Sequence, residues 1–218
     1  IIYPGMDWNG TVVNTLDKTI NGKDNANYPP SANNASKTAL TWRKYLDEQY
    51  ANGIWNTNAC PIVIRYAEVL LTYAEAVNEL SGPSADVYDK LDLIRGRVGM
   101  PKVDREKYAS KETLRRLIRR ERGVELAGEG VRRADILRWK DDNGKMVAET
   151  VLNGVLERVV GTVNYAETDP TKRAEIDTNA PATDKKIEDR VFKVHNRYNP
   201  IPQGAIDNNP NLEQNPGY

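Results

Sequence analysis

Two tryptophans lie in polar loops, where an indole ring has few core residues to contact. Trp8 occurs in GMDWNG and Trp55 in NGIWNTN, so Asn9 and Asn56 directly follow the two indoles. An exposed indole offers an apolar face to sugar C–H groups, and neighbouring amides can bond sugar hydroxyls. We therefore predict that these four residues bind a glycan. The alternative is that each indole fastens its own loop to the core.

The other two tryptophans, Trp42 and Trp139, lie in different surroundings. Trp42 belongs to TWRKYLD, in which aromatic and polar residues alternate, and Trp139 ends a short helical pattern. Patterns of this kind place apolar side chains on the inner face of an element. We therefore expect both rings to lie in the core.

Arginines and glutamates form a second group of residues that could take part in binding or in ion pairs. Residues 111–140 contain ten basic and five acidic side chains. This surplus is compatible with a helical nucleic-acid patch, but the whole chain has 31 basic and 31 acidic residues, which argues against a nucleic-acid partner. The planar guanidinium of arginine can bond a carboxylate through two N–H groups at once, which suits ion pairs inside a protein. We therefore predict a structural ion network that contains Glu121, Arg122, Glu125 and Arg132.

Residue sets that carry out catalysis or bind metals are hard to find in this chain. His195 is the single histidine and Cys60 the single cysteine, so a His/Cys zinc site cannot be assembled. The sequence has no G-x-S-x-G, P-loop or dinucleotide-binding glycine motif. Acidic residues are too common for a carboxylate pair alone to indicate a glycosidase. We predict no enzyme, no metal site and no cofactor.

A helical hairpin is the element around which the rest of the sequence is arranged. PIVIRYAEVLLTYAEAVNEL, at residues 61–80, predicts a helix. Ser81-Gly82-Pro83 ends this helix, and Ser84 is a good N-cap for a second one. One hairpin cannot bury its apolar stripe completely, so it requires neighbours. The predicted inward stripe of the first helix consists of Tyr66, Val69, Leu70, Tyr73, Val77 and Leu80.

The pattern after the hairpin predicts two more helices and then becomes weak. The two helices are expected at about 110–127 and 131–140, and residues 145–159 are compatible with a third, interrupted at Gly154. Residues 162–189 are predicted as loops. A short strand is expected at 191–194.

The last twenty residues, NPIPQGAIDNNPNLEQNPGY, contain four prolines. Proline fixes its own backbone and restricts the residue before it. We therefore expect this tail to run as an extended strap over the surface.

We divide the chain into three segments. Residues 1–60 are loop-rich with short strands and possible ligand-binding loops, 61–140 are a helical core of antiparallel helix pairs, and 141–218 are irregular and end in the proline-rich strap. We expect all three to belong to one domain. Because the chain starts without methionine or a signal peptide, we expect a piece of a longer protein with any targeting signal outside it.

Four stretches together strongly resemble the C-terminal half of SusD/RagB family proteins. They are RYAEVLLTYAEAVNEL, IRGRVGMP, ERGVELAGEGVRRADILRW and NPIPQGAIDNNPNLEQNPGY, and they occur in the order and spacing of the family. The last stretch is the most specific. The resemblance covers about 65–138 and 199–218.

The resemblance implies a mainly α, SusD-like fold with a tetratricopeptide-type helix hairpin, long irregular loops and little β structure. It also implies a lipoprotein on the extracellular face of a Bacteroidetes outer membrane. Such proteins cap a TonB-dependent, SusC-like transporter and capture glycans, or in some members peptides, without catalysis. The N-terminal repeats and the lipid anchor of the family would lie outside this chain, because Cys60 precedes a helix and does not follow a signal sequence.

The predicted function is therefore glycan capture for import, and the alternative is a peptide-capturing or protein-binding helical scaffold. A glycan site should show exposed indoles surrounded by Asn, Asp and Arg. A protein-binding face should show a larger continuous apolar patch. An enzyme acting on glycans would need two carboxylates ~5–9.5 Å apart across a cleft.

Overall fold

The computed structural model describes residues 3–8, 10–30, 35–46 and 60–218. These residues form seven α-helices, one 3-10 helix and eight short strands. The predicted mainly helical fold with little β structure is confirmed. The chain divides into a helical unit, Cys60–Asp135, and a mixed unit, Ile1–Ala59 with Ile136–Tyr218. Whether the three predicted segments form one domain stays a prediction.

The helical unit begins with the predicted hairpin and continues with a third helix. Its elements are α1 (Tyr66–Ser81), α2 (Ala85–Arg97), α3 (Lys111–Glu125) and the first residues of α4 (Arg132–Arg138). The predicted N-cap of α2 is confirmed, since Ser84 Oγ accepts from the amide of Val87 at 3.4 Å. At the start of α3, Ser110 and Thr113 bond each other's amides, both at 3.2 Å.

The core of the helical unit lies between α1, α2 and α3. Its buried members are Leu70, Leu71, Ala74, Val87, Tyr88, Leu91, Ile94, Val103, Leu114, Leu117, Ile118 and Leu126. Leu71, Val87, Leu91 and Leu114 are fully shielded from solvent. The apolar residues of three helices thus converge on one interior, as the periodicity predicts for amphipathic helices.

The inward stripe predicted for α1 is wrong in phase. Of its six residues only Leu70 is buried, and Val77 is half-buried. The other four are exposed: Tyr66 by 70%, Val69 by 52%, Tyr73 by 43% and Leu80 by 86%. The helix instead buries a face that includes Leu71 and Ala74.

Two polar residues explain this rotation of α1, because both find partners inside the helical unit. The Asn78 side chain is fully buried and donates to the carbonyl of Lys111 at 3.0 Å. The carboxylate of Glu75 lies 3.8 Å from Nε of Arg122. A buried polar group is tolerated when it is hydrogen-bonded or paired. Polarity alone therefore did not mark the outer face of α1.

The mixed unit contains four two-stranded antiparallel pairs. They are β1 (Asp7–Trp8) with β2 (Thr11–Val12), β3 (Thr19–Ile20) with β4 (Lys23–Asp24), β5 (Gly154–Glu157) with β8 (Lys186–Arg190), and β6 (Gly161–Val163) with β7 (Ala174–Ile176). Its helices are the end of α4, then α5 (Val147–Val151), α6 (Ala182–Lys185) and α7 (Gln203–Asn208).

Several predictions for the second half of the chain are wrong. The helix expected over 145–159 stops after α5, and β5 replaces its second half. Residues 162–189 contain strands and a short helix where loops were predicted. The strand expected at 191–194 is absent from this described stretch, and a 3-10 helix begins at Val194. Pairing partners far apart in sequence produce these strands, and local patterns do not reveal them.

The C-terminal strap is not extended throughout, since α7 lies within it. Around α7 it is held by one side chain, because Gln214 accepts from the amide of Ile201 at 2.8 Å and donates to its carbonyl at 2.9 Å. Such a paired contact satisfies backbone groups that proline-rich chain cannot pair in a ladder. No helix of the described residues is long and apolar enough to cross a bilayer.

Two small apolar clusters stabilise the mixed unit. Trp139, Ile136, Met146 and Ala148 form the first, and the predicted core position of Trp139 is confirmed. Leu16, Ala39 and Val163 form the second, with Val12, Val159 and Ala174 packed against it. The second cluster joins the first forty residues to β6 and β7.

Candidate functional site

A cavity of about 600 Å³ lies beside Trp8 in the mixed unit. This volume is in the range of small-molecule binding sites. The described residues that line it are Trp8, Thr11, Val12, Val13, Thr15, Asn27, Ala35, Ser36, Leu40, Thr41, Trp42 and Leu46. All of them lie between residues 8 and 46, so a single stretch of sequence forms the described wall.

The β1–β2 pair positions Trp8 on one side of this cavity. In the pair Trp8 lies opposite Thr11. Below the pair, the amide of Gly5 donates to the carbonyl of Val13 at 2.8 Å, and the amide of Val13 donates to the carbonyl of Met6 at 2.9 Å. This short ladder fixes the strand that carries the indole.

Residues 35–46 form the other side of the cavity and are held from within. Thr15 Oγ1 is buried and donates to the carbonyl of Ala39 at 2.6 Å. The amide of Val159 donates to the carbonyl of Thr38 at 3.1 Å. The short-range bond from Ser36 Oγ to the carbonyl of Leu40, at 2.6 Å, closes the turn. These bonds place the segment that carries Trp42.

A buried polar group behind the cavity joins it to β6. Asn14 Oδ1 accepts from the amide of Asp17 at 3.0 Å, and Asn14 Nδ2 donates to the hydroxyl of Tyr165 at 2.9 Å. Asp17 Oδ2 in turn accepts from the amide of Val163 at 3.2 Å. Because Asn14 is buried and satisfied, it fixes the chain in one arrangement.

Arg173 fastens the first strand from the opposite end of the sequence. Its guanidinium donates to Asp7 Oδ1 at 2.9 Å, to the carbonyl of Gly5 at 3.3 Å and to the carbonyl of Glu167 at 2.9 Å. Gly5 has φ of 85°, and a Cβ at this position would lie 2.8 Å from Cβ of Arg173. The close approach therefore requires glycine at position 5.

The chemistry of the cavity is that of a binding site. Two indoles provide apolar faces, and the guanidinium carbon of Arg43 lies 5.2 Å from the ring centroid of Trp8. Hydroxyl and amide groups are supplied by Asn27, Ser36 and other polar residues of the wall. No described lining residue is an aspartate or glutamate, so the described wall lacks the carboxylate pair of a glycosidase.

The predicted ligand residues are only partly within the described structure. Trp8 is half-buried and lines the cavity. Asn9, Trp55 and Asn56 lie outside the described residues. The expectation that Trp42 belongs to the core is wrong, since it is 41% exposed and lines the cavity. Alternation in TWRKYLD separates two faces of the segment but does not tell which one is outward.

Ion pairs fill the helical unit around the predicted network residues. Arg122 forks onto Asp135, with Nε–Oδ2 at 2.9 Å and Nη2–Oδ1 at 3.2 Å, and both side chains are buried. Glu121 accepts from Arg95 at 2.5 Å. Arg65 contacts Glu129 and Glu125. These contacts raise the pKa of the Arg65 guanidinium, and the hydrogen bond to Glu129 is the largest cause.

Glu125, another predicted network residue, receives two arginines, Arg65 at 2.6 Å and Arg97 at 2.9 Å. The guanidinium of Arg132, the fourth predicted residue, lies over Gly123, 3.2 Å from where a Cβ would stand. Sequence reasoning missed Arg65 and Asp135, whose partners lie 60 and 13 residues away. Opposite charges at such separations leave no local pattern in a sequence.

Metal binding has no support among the described residues, which contain no group of three or more His, Cys, Asp or Glu side chains placed to hold an ion. In the helical unit, Glu121, Glu125 and Asp135 are each bonded to an arginine. Among the described residues, the cavity beside Trp8 thus combines two indoles with hydroxyl and amide groups, which is the composition of many small-molecule sites.

Comparison with known proteins assigns the family. The model of the SusD family matches residues 1–218. The chain is 34% identical over 146 residues to one SusD-like protein of Formosa agariphila, and 30% identical over 140 residues to a second one from the same organism. These matches cover 62% and 59% of this chain but 27% and 28% of the relatives.

A solved structure agrees with this assignment. The crystal structure of a SusD-like protein from Bacteroides fragilis superposes with a TM-score of 0.54 at 28% identity, over 72% of this chain and 26% of the other. The chain belongs to the SusD family, and the predicted family and SusD-like fold are confirmed. It spans about a quarter of the length of the relatives it matches. Members of this family are in general glycan-binding proteins of nutrient uptake and not enzymes.

Proposed function

We propose that this chain is part of a cell-surface protein that captures oligosaccharides or polysaccharides for import through a TonB-dependent, SusC-like transporter. The observation that supports this most is the cavity of about 600 Å³ bounded by Trp8 and Trp42. The chain belongs to the SusD family, whose members generally bind glycans, and this also supports the proposal of glycan capture.

The proposed binding mode is stacking combined with hydrogen bonds. A sugar ring presents axial C–H groups to an indole face, and the ring hydroxyls project sideways. In the cavity Trp8 and Trp42 supply the faces, while Asn27, Ser36 and Thr41 supply polar atoms. The proposed mode needs neither a metal nor a cofactor, because the indole faces and the polar side chains supply its contacts.

Asn9, Trp55 and Asn56 remain proposed ligand residues on the strength of the sequence alone. Asn9 follows Trp8 and is thus near the cavity in sequence. Trp55 and Asn56 follow the cavity segment 35–46 by about ten residues in the chain. The proposal is that they extend the surface on which a second sugar unit rests.

Peptide capture is the alternative function, and the same cavity favours it to a lesser degree. Leu40, Leu46 and Val13 contribute apolar side chains to its wall, and such a wall also accepts apolar peptide side chains. Its two indoles and its described wall free of carboxylates suit sugars better. A peptide panel therefore belongs in the same experiment.

The cellular setting is likewise a proposal. We place the full-length protein on the extracellular face of the outer membrane, held by a lipid anchor outside this chain and associated with a SusC-like transporter. Purifying the tagged full-length protein from membranes without detergent exchange tests this: the transporter and the lipid anchor should be found by mass spectrometry. Recovery from the soluble fraction without either would contradict it.

The central test measures glycan binding to the full-length protein by tryptophan fluorescence and calorimetry, with polysaccharide and peptide panels. Trp8→Ala and Trp42→Ala should each weaken binding by about tenfold or more. Trp55→Ala tests the proposed extension. Tyr198→Ala removes an aromatic ring outside the cavity that is similarly exposed, and it should leave the affinity unchanged.

The outcomes separate the candidate functions. Loss of glycan binding in the two cavity variants alone supports the proposal. If both variants still bind the glycan, the proposed function stands, but the cavity is not the binding site. Binding of peptides and of no glycan would overturn the proposed ligand in favour of the alternative.

A further inference from the structure

A second cavity, of about 420 Å³, lies in the mixed unit and is formed by residues that the proposed function does not use. Two short pieces of chain meet in its wall, the 3-10 helix Val194–Arg197 and the turn at residues 216–217. Its volume is in the range of small-molecule sites. We call it the His195 cavity, and its described lining residues are Val194, His195, Arg197, Tyr198, Pro216 and Gly217.

Tyr218 joins the two pieces of chain that form this wall. Its hydroxyl donates to the carbonyl of Tyr198 at 2.8 Å and accepts from Nδ2 of Asn196 at 3.2 Å. Its ring meets the imidazole of His195 edge to face, with the two centroids 4.9 Å apart. On the other side of the imidazole contact, a Cβ on Gly217 would lie 2.7 Å from Cγ of His195, so turn and ring touch closely. The wall is therefore ordered before a ligand binds, which lowers the entropy cost of binding.

The guanidinium of Arg197 is the group in this cavity that indicates a ligand. Its central carbon lies 4.6 Å from the ring centroid of Tyr198, and it has no carboxylate partner among the described residues. Arg190 of the same unit, by contrast, bonds Glu188 at 2.9 Å. No described lining residue of the His195 cavity is an aspartate or glutamate. A guanidinium held over a ring keeps N–H groups for an acceptor, and here the acceptor has to come from a ligand or from water.

The imidazole of His195 adds a second hydrogen-bonding group beside apolar surfaces. Neither of its ring nitrogens is bonded to another part of the chain that the structure describes. A neutral imidazole donates from one nitrogen and a protonated imidazole from both. Val194, Pro216 and the ring of Tyr198 supply apolar contact area next to it. An acidic group attached to a compact ring with C–H faces fits this combination of donors and apolar walls.

We infer that the His195 cavity binds the carboxylate of a uronic-acid unit, so that the glycan captured by this protein is an acidic one. The inference rests on the proposed function and specifies its class of substrate. The carboxylate accepts from two N–H groups of Arg197 at once, which a neutral sugar hydroxyl cannot do. The sugar ring lies against Tyr198 and Pro216, and its hydroxyls are within reach of His195.

Calorimetric titration of the full-length protein with paired oligosaccharides tests the inference. Each pair consists of an oligosaccharide of glucuronate, galacturonate, mannuronate or guluronate and its carboxyl-reduced form, which has the same linkages without the charge. We expect at least one acid to bind about tenfold or more tightly than its reduced form. Arg197→Gln should abolish this preference while binding of the reduced form stays unchanged, which also shows that the variant is folded. Arg190→Gln removes an arginine that bonds Glu188 outside the cavity, so the preference should remain.

The outcomes separate this inference from the proposed function. If no acid is preferred over its reduced form, or if the preference survives in Arg197→Gln, the inference is wrong, and binding of neutral glycans that depends on Trp8 would still support the proposed function. A preference that depends on Arg197 but not on Trp8 supports the His195 cavity and contradicts the cavity beside Trp8. Neutral glycans gain nothing from Arg197, so they should bind Tyr198→Ala and the unchanged protein equally, as its use as a control requires.

Discussion

The two units differ in where their polar groups are directed. In the helical unit several acids point at arginines of the same unit, as Glu121 does at Arg95 and Asp135 does at Arg122. In the mixed unit, hydroxyl and amide groups line an open cavity next to two partly exposed indoles. Groups that are already paired have little left to offer a ligand. This difference is the basis of our proposal that the helical unit is architectural and that the mixed unit binds the ligand.

The sharpest way to break this comparison is to remove Asp135, which leaves the buried Arg122 without its fork partner. We expect Asp135→Ala to lower the free energy of unfolding by about 3 kcal/mol, since the buried Arg122 guanidinium loses its 2.9 Å ion pair while the carboxylate of Glu75 lies 3.8 Å away. Asp189→Ala, which removes an exposed partner of Lys186 in the mixed unit, should cost less than about 1 kcal/mol. Urea unfolding of the full-length protein measures both. Equal losses would contradict the contrast.

Gly161 tests how tightly the mixed unit is packed. A Cβ at this position would collide with the carbonyl oxygen of Glu175 and lie 3.0 Å from Cα of Ile176. Gly161→Ala should therefore separate β6 from β7 and cost about 2 kcal/mol. Gly204→Ala, with no atom within 4 Å, is the control. If Gly161→Ala lowers the unfolding temperature no more than the control does, β6 can move to accept the extra methyl group, and the expectation of tight packing is wrong.

Thr15 links stability to recognition within the mixed unit. Thr15→Val removes the bond to the carbonyl of Ala39 and should cost about 1 kcal/mol. The affinity for glycans should also fall, because the segment that carries Trp42 loses an anchor. Thr162→Val changes an exposed residue in the same way and should affect neither quantity. Calorimetric titration alongside unfolding curves separates the two effects, and unchanged affinity would disconnect Thr15 from the site.

Glu79 gives the smallest effect and a pH dependence. Its hydrogen bond to Arg115 holds its pKa below the ordinary value of 4.5. The folded state thus binds this proton less readily, so the stabilisation is complete above pH 4.5 and is lost as the pH falls through the lowered pKa. Solvent screens this partly exposed pair, and we expect about 0.5 kcal/mol. Unfolding at pH 7 and pH 3 should show that Glu79→Gln abolishes this contribution; an identical pH profile would contradict the assignment.

The helices could be predicted from the sequence because their signals are local. Ser84 and Ser110 mark helix starts through contacts three residues away. The phase of α1 could not be predicted, since apolar residues surround most of its circumference. Which side is inward depends on Asn78 and Glu75, whose partners come from α3. Long-range partners decide orientation where periodicity is ambiguous.

The candidate site was predictable only in part, for the same physical reason. The polar neighbours of Trp8 indicated an exposed indole, and it lines the cavity. Trp42 is predicted in the core because its own segment does not show the bond from Thr15 to the carbonyl of Ala39, which fixes this segment beside the cavity. The strands β5 to β8 escaped prediction since each pairs with a distant partner or follows an irregular turn.

Arg173 has a consequence for protein engineering. The described cavity wall lies within residues 8–46, which invites exchange of this stretch between relatives as a cassette that carries ligand preference. Yet the strand bearing Trp8 is fastened by a guanidinium more than 160 positions away, and a Cβ at position 5 would lie only 2.8 Å from Cβ of that arginine, so the approach requires glycine. A chimaera that exchanges the cassette without its matching arginine would inherit the right side chains on an unanchored strand. Transfer of ligand preference therefore requires Gly5 and Arg173 to be transferred together with this segment.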